Sequence, residues 1–332
     1  MSTGTGTPLA PRDLAPDRQG PQEPPVLGSL SPSRAGDFMT CPLLFRFRTI
    51  DRLPQSPSPA ATRGTVVHAV LERLFDLPAA ERTVEAAASL LRPEWERLVE
   101  AEPAVAGLFE GEDDLGAWLG TARSLLEGYF TLEDPQRLEP ARREEHVQVV
   151  LPSGLRLRGI VDRVDVAPSG AVRVVDYKTG RAPGAMFEAK ALFQMKFYAL
   201  VLWRTTSVVP TLLQLMYLGD REVLRYAPDE DDLRATERKL QALWQAIERA
   251  TAAREFLPRP GRLCGWCDHQ ALCPSFGGTP PPFPDDPPSP GSSRVPGQRP
   301  SAGGAPATRV HTGASSETGA TPAPASPPQE DA

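Results

Sequence analysis

An aspartate and a lysine close the apolar run Val174-Val175-Asp176-Tyr177-Lys178-Thr179-Gly180. On a strand, residues two apart share a face, so Asp176 and Lys178 point the same way. A second acidic run, Gly159-Ile160-Val161-Asp162-Arg163-Val164-Asp165, lies just upstream. Paired as a hairpin, the two runs bring Asp162 close to Asp176. Neighbouring carboxylates at the end of a buried hairpin repel each other and resist losing water. A divalent cation between them removes both costs, and such oxygen donors suit Mg²⁺ or Mn²⁺. A lysine beside the ion can hold or activate a water, or stabilise charge developing on a phosphate. An isolated Asp-x-Lys more often marks a surface ion pair; the paired acids upstream make that the weaker reading here.

A second group of chemically active residues is sulfur. Cys264, Cys267 and Cys273 fall within ten residues, Cys41 lies far upstream, and the chain has no other cysteine. In a reducing compartment these are not disulfides. Their spacing is that of ligands, and a Cys₄ zinc site or a [4Fe–4S] cluster is chemically open to them. His269 inside this segment is superfluous beside four thiolates. Trp266 is expected to shield the site, with stacking on a base as the alternative.

These residues need elements to hold them. Ser31 with Pro32 is an N-cap followed by a first helical residue. Val67, Val70, Leu71, Leu74 and Phe75 recur at helical spacing, and two more helices follow at about 84–99 and 115–130. The period then changes to two, giving strands at 146–151, 155–166 and 171–177 separated by Pro-Ser-Gly turns. A helix at 187–204, a strand over Thr211–Leu218 and a long amphipathic helix through Leu233, Leu240 and Ile247 complete the pattern. The order implies an α/β core with a helical insertion in front of it.

Composition sets the limits. Among 332 residues, 40% are hydrophobic and 23% charged, which suffices for a sizeable core. Fourteen of the last 53 residues are proline and six are glycine, more than the ~25–30% typical of low-complexity segments. Residues 1–26 and 279–332 are therefore expected to be disordered around one domain at 27–278, and removal of the chain after Phe276 to be harmless. No apolar run approaches the roughly 18 residues of a membrane span, and the first residues lack the pattern of a signal peptide; a cytoplasmic protein is expected. The formal charge of −6 gives no global sign of nucleic-acid binding. No Gly-x-x-x-x-Gly-Lys-Ser/Thr phosphate loop occurs, so the chain carries no helicase motor.

The motifs Gly-Ile-Val-Asp-Arg-Val-Asp-Val and Val-Val-Asp-Tyr-Lys-Thr-Gly, in that order, resemble those of the PD-(D/E)XK nuclease superfamily, in its RecB-like exonuclease branch. Arg-Gly-Thr-Val-Val-His-Ala-Val-Leu-Glu resembles that family's histidine helix, Phe-Gln-Met-Lys-Phe-Tyr-Ala-Leu-Val-Leu its glutamine–tyrosine helix, and Leu-Ser-Pro-Ser-Arg-Ala-Gly-Asp-Phe-Met-Thr-Cys-Pro its opening segment. The resemblance spans nearly all of 30–274. It implies a restriction-endonuclease-like core: a central mixed sheet flanked by helices, with the helical insertion at about 62–131, the catalytic core at about 144–256 and the cysteine segment at 258–276. It further implies that Asp162, Asp176, His68 and the Tyr177 carbonyl bind Mg²⁺ or Mn²⁺, that Lys178 assists the attacking water, and that Gln194 and Tyr198 orient the site and touch DNA. Glu145 is a possible further ligand. Arg163 would contact a phosphate or pair with Asp165.

One distant cysteine plus a C-terminal trio is similar to the iron–sulfur nucleases of AddB type, which favours [4Fe–4S] over zinc on Cys41, Cys264, Cys267 and Cys273. The implied function is exonucleolytic hydrolysis of single-stranded DNA ends in repair or recombination, with any helicase a separate partner. The alternatives are a DNA-binding or scaffolding subunit of a helicase–nuclease complex, a CRISPR spacer-acquisition nuclease, and a zinc-stabilised binding module.

Overall fold

The computed structural model describes residues 28–182 and 185–284, with side chains of 185–190 excepted; the expectations for 1–26 and for 285–332 lie outside these. In chain order the elements are β1 (Ser29–Leu30), α1 (Pro32–Thr40), α2 (Pro42–Phe45), a π-helical turn (Arg46–Ile50), α3 (Pro59–Leu74), α4 (Val84–Ala101), α5 (Glu112–Leu132), β2 (Arg142–Val150), β3 (Arg156–Val166), β4 (Val172–Lys178), α6 (Ala185–Thr206), β5 (Leu212–Tyr217), β6 (Glu222–Tyr226) and α7 (Glu230–Ala252). This is the expected α/β architecture with a mixed central sheet.

Helix starts follow local chemistry. The Ser31 hydroxyl accepts the Arg34 N–H at 3.3 Å with Pro32 at the first helical position. Ser58 caps α3 in the same way before Pro59, so this helix begins earlier than its apolar spacing suggests. Asp229 caps α7, and Glu230, Asp231 and Asp232 place negative charge at the positive end of its dipole.

The sheet runs β1-β3-β4-β5-β6, with β2 paired to the other edge of β3. Along one edge β3 pairs first with β1, in parallel at Arg156 and Leu157, and later with β4, antiparallel from Arg163 to Val166. The stretch 158–162 between them has no partner on that edge, so β1 and β4 diverge there and leave a gap in the sheet. β4 runs past the gap, pairing with β5 as far as Lys178.

Helices cover both faces. One face of the sheet packs with α1, α6 and α7 into a core that includes Leu157, Val174, Phe197, Leu200, Leu215 and Leu240. The other packs with α3, α4 and α5 around Val70, Leu126, Tyr129, Val175, Tyr177 and Met216. Alternation along β4 sends Val174 to one core and Val175 to the other, as period two requires. The contact between α5 and the sheet is close enough that a Cβ at Gly128 would lie 2.0 Å from the Leu218 carbonyl oxygen.

The ordered unit runs past the boundary set at 278. Phe283 stacks on Phe256 with ring centroids 6.1 Å apart, Arg46 and Arg254 lie over its ring, and Arg46 donates to the Pro281 carbonyl. Proline-rich composition concealed this anchor, because one aromatic and one carbonyl suffice to fix a segment that otherwise reads as linker.

Candidate active site

The gap beside β3 is where the predicted residues meet. The β3–β4 ladder extends to the pair Arg163 and Val175; one step further, Asp162 stands opposite Asp176. There the side chain replaces the ladder, and the Tyr177 N–H donates to Asp162 Oδ2 at 2.7 Å. His68 reaches in from α3. Its Nε2 lies 3.0 Å from the Tyr177 carbonyl oxygen, and its Nδ1 lies 3.5 Å from Asp162 Oδ2 and 3.9 Å from Glu144 Oε1. A carbonyl only accepts, so Nε2 carries the hydrogen and the Nδ1 lone pair faces two carboxylates. Three electron-rich donors, from His68, Glu144 and Asp162, thus converge within 4.8 Å of one another. It is the donor set a hard divalent cation uses.

The acid beside this site is Glu144, not Glu145. Glu145 pairs with Arg142 at 3.1 Å. Glu144 stands in the left-handed region, φ 42°, which is costly for a glutamate. The β2–β3 register runs through Arg143–Arg163 and Glu145–Val161, which leaves Glu144 facing Asp162 without a ladder pairing. Residue types alone do not reveal this, because a backbone irregularity decides which of two adjacent acids turns inward.

Protonation reflects the crowding. Burial, then the Asp176 charge, raises the Asp162 carboxyl well above its usual range. Burial, then the Asp162 charge, pushes Glu144 up to about 7. Burial lowers His68 despite the charges of Asp176 and Glu144. Without a cation, the charged forms of these groups are disfavoured; a bound metal would supply the compensating charge.

Asp176 is held differently. It is 1% exposed. Its Oδ2 lies 2.6 Å from Lys178 Nζ and its Oδ1 accepts from Gln194 Nε2 at 3.0 Å. Gln194 Oε1 accepts from Lys178 Nζ at 3.0 Å, and Gln194 Nε2 lies 3.3 Å from the Tyr198 hydroxyl. One amide therefore bridges the acid and the lysine, which also pair directly. Gln194 and Tyr198 are four apart and share a face of α6. Gly159 makes room for Tyr198: a Cβ there would lie 2.7 Å from the ring. In front of this wall a cleft of about 710 Å³ is lined by Ser33, Arg48, Ile160, Lys178, Arg181 and Tyr198, among others.

Arg163 cannot meet a phosphate. It is 1% exposed and points away from the cleft, paired with Asp165 as one expectation had it, and with Glu133 as well.

The four cysteines line one cavity of about 240 Å³ between the end of α1 and the turns of 262–276. Among the described residues no three of their sulfurs lie within 4.8 Å of one another. They are not gathered into a cluster-like arrangement, and they do not form the tight tetrahedron of a zinc site. Cys41 Sγ accepts the Arg259 N–H and Cys264 Sγ the Gly261 N–H, each at 3.3 Å. Trp266 is 86% exposed and shields nothing. His269 is buried with its ring edge-on to Phe47, centroids 5.4 Å apart.

Residues 29–274 match the family model of the PD-(D/E)XK nuclease superfamily. The chain belongs to the PD-(D/E)XK nuclease superfamily. Two curated relatives are the Gene 69 proteins of Mycobacterium phage L5, 24% identical over 287 residues, and of Mycobacterium phage D29, 26% identical over 269 residues; each match covers 74% of this chain and 96% of the relative. A crystal structure of a candidate exonuclease from Eubacterium rectale is 13% identical, with a TM-score of 0.49, and the match covers 73% of this chain and 88% of that one. No helix among the described residues is long and apolar enough to cross a membrane.

Proposed function

We propose that this nuclease-superfamily member is a divalent-metal-dependent deoxyribonuclease, a RecB-like exonuclease hydrolysing phosphodiester bonds at single-stranded DNA ends. The observation that carries this reading is the convergence of His68, Glu144 and Asp162 beside the Asp176–Lys178 pair. His68, Glu144 and Asp162 would hold the ion, joined by Asp176 and the Tyr177 carbonyl. Bound Mg²⁺ or Mn²⁺ supplies charge neutralisation at the phosphate and lowers the pKa of water. Lys178 is held as a point charge and hydrogen-bond donor at the cleft, where it would stabilise charge on the reacting phosphate. Gln194 fixes the spacing of Asp176 and Lys178, and Tyr198 backs Gln194.

The cleft supports single strands as substrate. Its volume of about 710 Å³ falls within the ~300–1,000 Å³ of clefts that enclose a small ligand. It would enclose a nucleotide or two of one strand rather than a duplex. Lys178, Arg181 and Arg48 line it, with Arg48 paired to Asp37 and Lys178 to Asp176.

For the cysteine cavity the proposal is a structural [4Fe–4S] cluster, around which the four thiols that line the cavity would have to close. It would join α1 to the C-terminal turns, closing a long loop. Iron and sulfide content of anaerobically purified protein tests it. Free thiols suit the cytoplasm, and single-stranded ends suit repair or recombination; any helicase would be a separate chain.

The function is tested by digesting 5′- and 3′-labelled single-stranded and duplex DNA with Mg²⁺ or Mn²⁺. Mononucleotides released from one labelled end of single strands are expected. Internal cuts in circular DNA, or a preference for duplex, would refute the exonuclease assignment.

A further inference from the structure

Directly behind the proposed metal site, on the opposite face of β3, lies a buried guanidinium that the chemistry above does not use. Arg163 Nη1 donates to the Tyr177 hydroxyl at 2.7 Å and approaches the Tyr129 hydroxyl at 3.5 Å. Its Nη2 meets Glu133 at 2.5 and 2.9 Å, and its Nε lies 3.1 Å from Asp165. The Phe75 ring, at the end of the His68 helix, packs 5.6 Å away. Arg173 adds a second cation, 2.8 Å from Asp165 and 3.7 Å from Glu133. The group is thus two arginines against two acids, neutral in sum.

A buried ion network is seldom the most stable filling for such a space; packed apolar side chains often do as well or better. What the network offers instead is direction. Arg163 follows Asp162 in the chain and grips Tyr177, the residue between Asp176 and Lys178. The main chain of Tyr177 in turn holds the site: its N–H is bonded to Asp162 and its carbonyl to His68. Tyr129 belongs to α5 and Glu133 follows it directly, so the helical insertion is tied to this grip.

We propose that Arg163 is a positioning residue for the metal site, fixing Asp162 and His68 through Tyr177 and linking the helical insertion to them. The proposal rests on the metal-site reading above. Groups behind the ligands commonly change metal affinity by ~10–100-fold when altered.

The test is Mn²⁺ binding to the full chain, followed by electron paramagnetic resonance without DNA, in wild type, Arg163→Lys, Tyr177→Phe and Glu133→Gln. Tyr177→Phe keeps the guanidinium, its ion pairs and the Tyr177 main chain, so it carries the test even if Arg163→Lys does not fold. We expect Kd to rise by about tenfold in Arg163→Lys and by about threefold or more in Tyr177→Phe and Glu133→Gln, in protein that circular dichroism shows to be folded. Wild-type affinity in the folded variants would overturn the proposal and leave Arg163 purely structural. A wild type that binds no Mn²⁺ would overturn the metal-site reading itself. A wild type that binds Mn²⁺ but cleaves no DNA would sink the nuclease function alone, and the comparison of affinities would still decide the role of Arg163.

Discussion

Glu144→Gln separates a metal ligand from an ordinary buried acid. The Glu144 carboxyl is pushed from 4.5 to about 7, chiefly by burial and then by Asp162. One pKa step corresponds to ~1.4 kcal/mol, so the upper limit is ~3 kcal/mol. The side chain is 31% exposed, and solvent screening brings this to ~1–2 kcal/mol. Because the folded pKa lies above the unfolded one, the native state binds more protons between about pH 4.5 and 7. Stability of metal-free protein therefore falls as pH rises through that window, and stays lower above it. Glutamine cannot ionise and loses this penalty. In EDTA at pH 8 the variant should melt about 2–8 °C above wild type, and the difference should shrink at pH 5.5. Saturating Mn²⁺ should stabilise wild type more than the variant. The assay is thermal unfolding at both pH values, with EDTA and with Mn²⁺. If Glu144→Gln is no more stable than wild type in EDTA at pH 8, or gains as much from Mn²⁺, the reasoning fails.

Two further substitutions probe the scaffold. Gly159→Ala drives a methyl against Tyr198 and should cost ~1–3 kcal/mol while loosening the Gln194 contact; denaturant melts and cleavage rates should both move, and an unchanged rate would remove Tyr198 from the site. Phe283→Ala removes a half-buried ring stacked on Phe256 and covered by two arginines, for which we expect a loss of ~1–2 kcal/mol in urea unfolding. Truncation after 278 should match it, and unaltered stability in both would restore the boundary first read from composition.

The parts of this protein visible in its sequence are those that depend on period and pairing. Alternation at 155–166 and 171–177 placed Asp162 opposite Asp176, because a hairpin with one buried face has little freedom of register. Helical spacing put Gln194 and Tyr198 on one face. What stayed hidden depends on edges and irregular backbone. β1 is two residues long and β6 is a charged five-residue edge strand, too short for a periodic signal. Glu144 turns inward through a positive φ that no local residue type announces. Arg163 reads in sequence as a phosphate contact or a partner of Asp165, and only the far-off Glu133 and Tyr129 make it a buried group.

The central claim is that a divalent cation at the Asp162–Asp176 corner enables this protein to cut DNA. It is tested most directly by stripping anaerobically purified protein with a brief EDTA exchange and adding back Mg²⁺ or Mn²⁺ over single-stranded DNA, beside folded Asp176→Asn and Lys178→Met. No cleavage without metal, recovery on addition, and a loss of at least ~100-fold in each variant are expected. Cleavage by Asp176→Asn at the wild-type rate, or a metal-loaded wild type that leaves DNA intact, would contradict it.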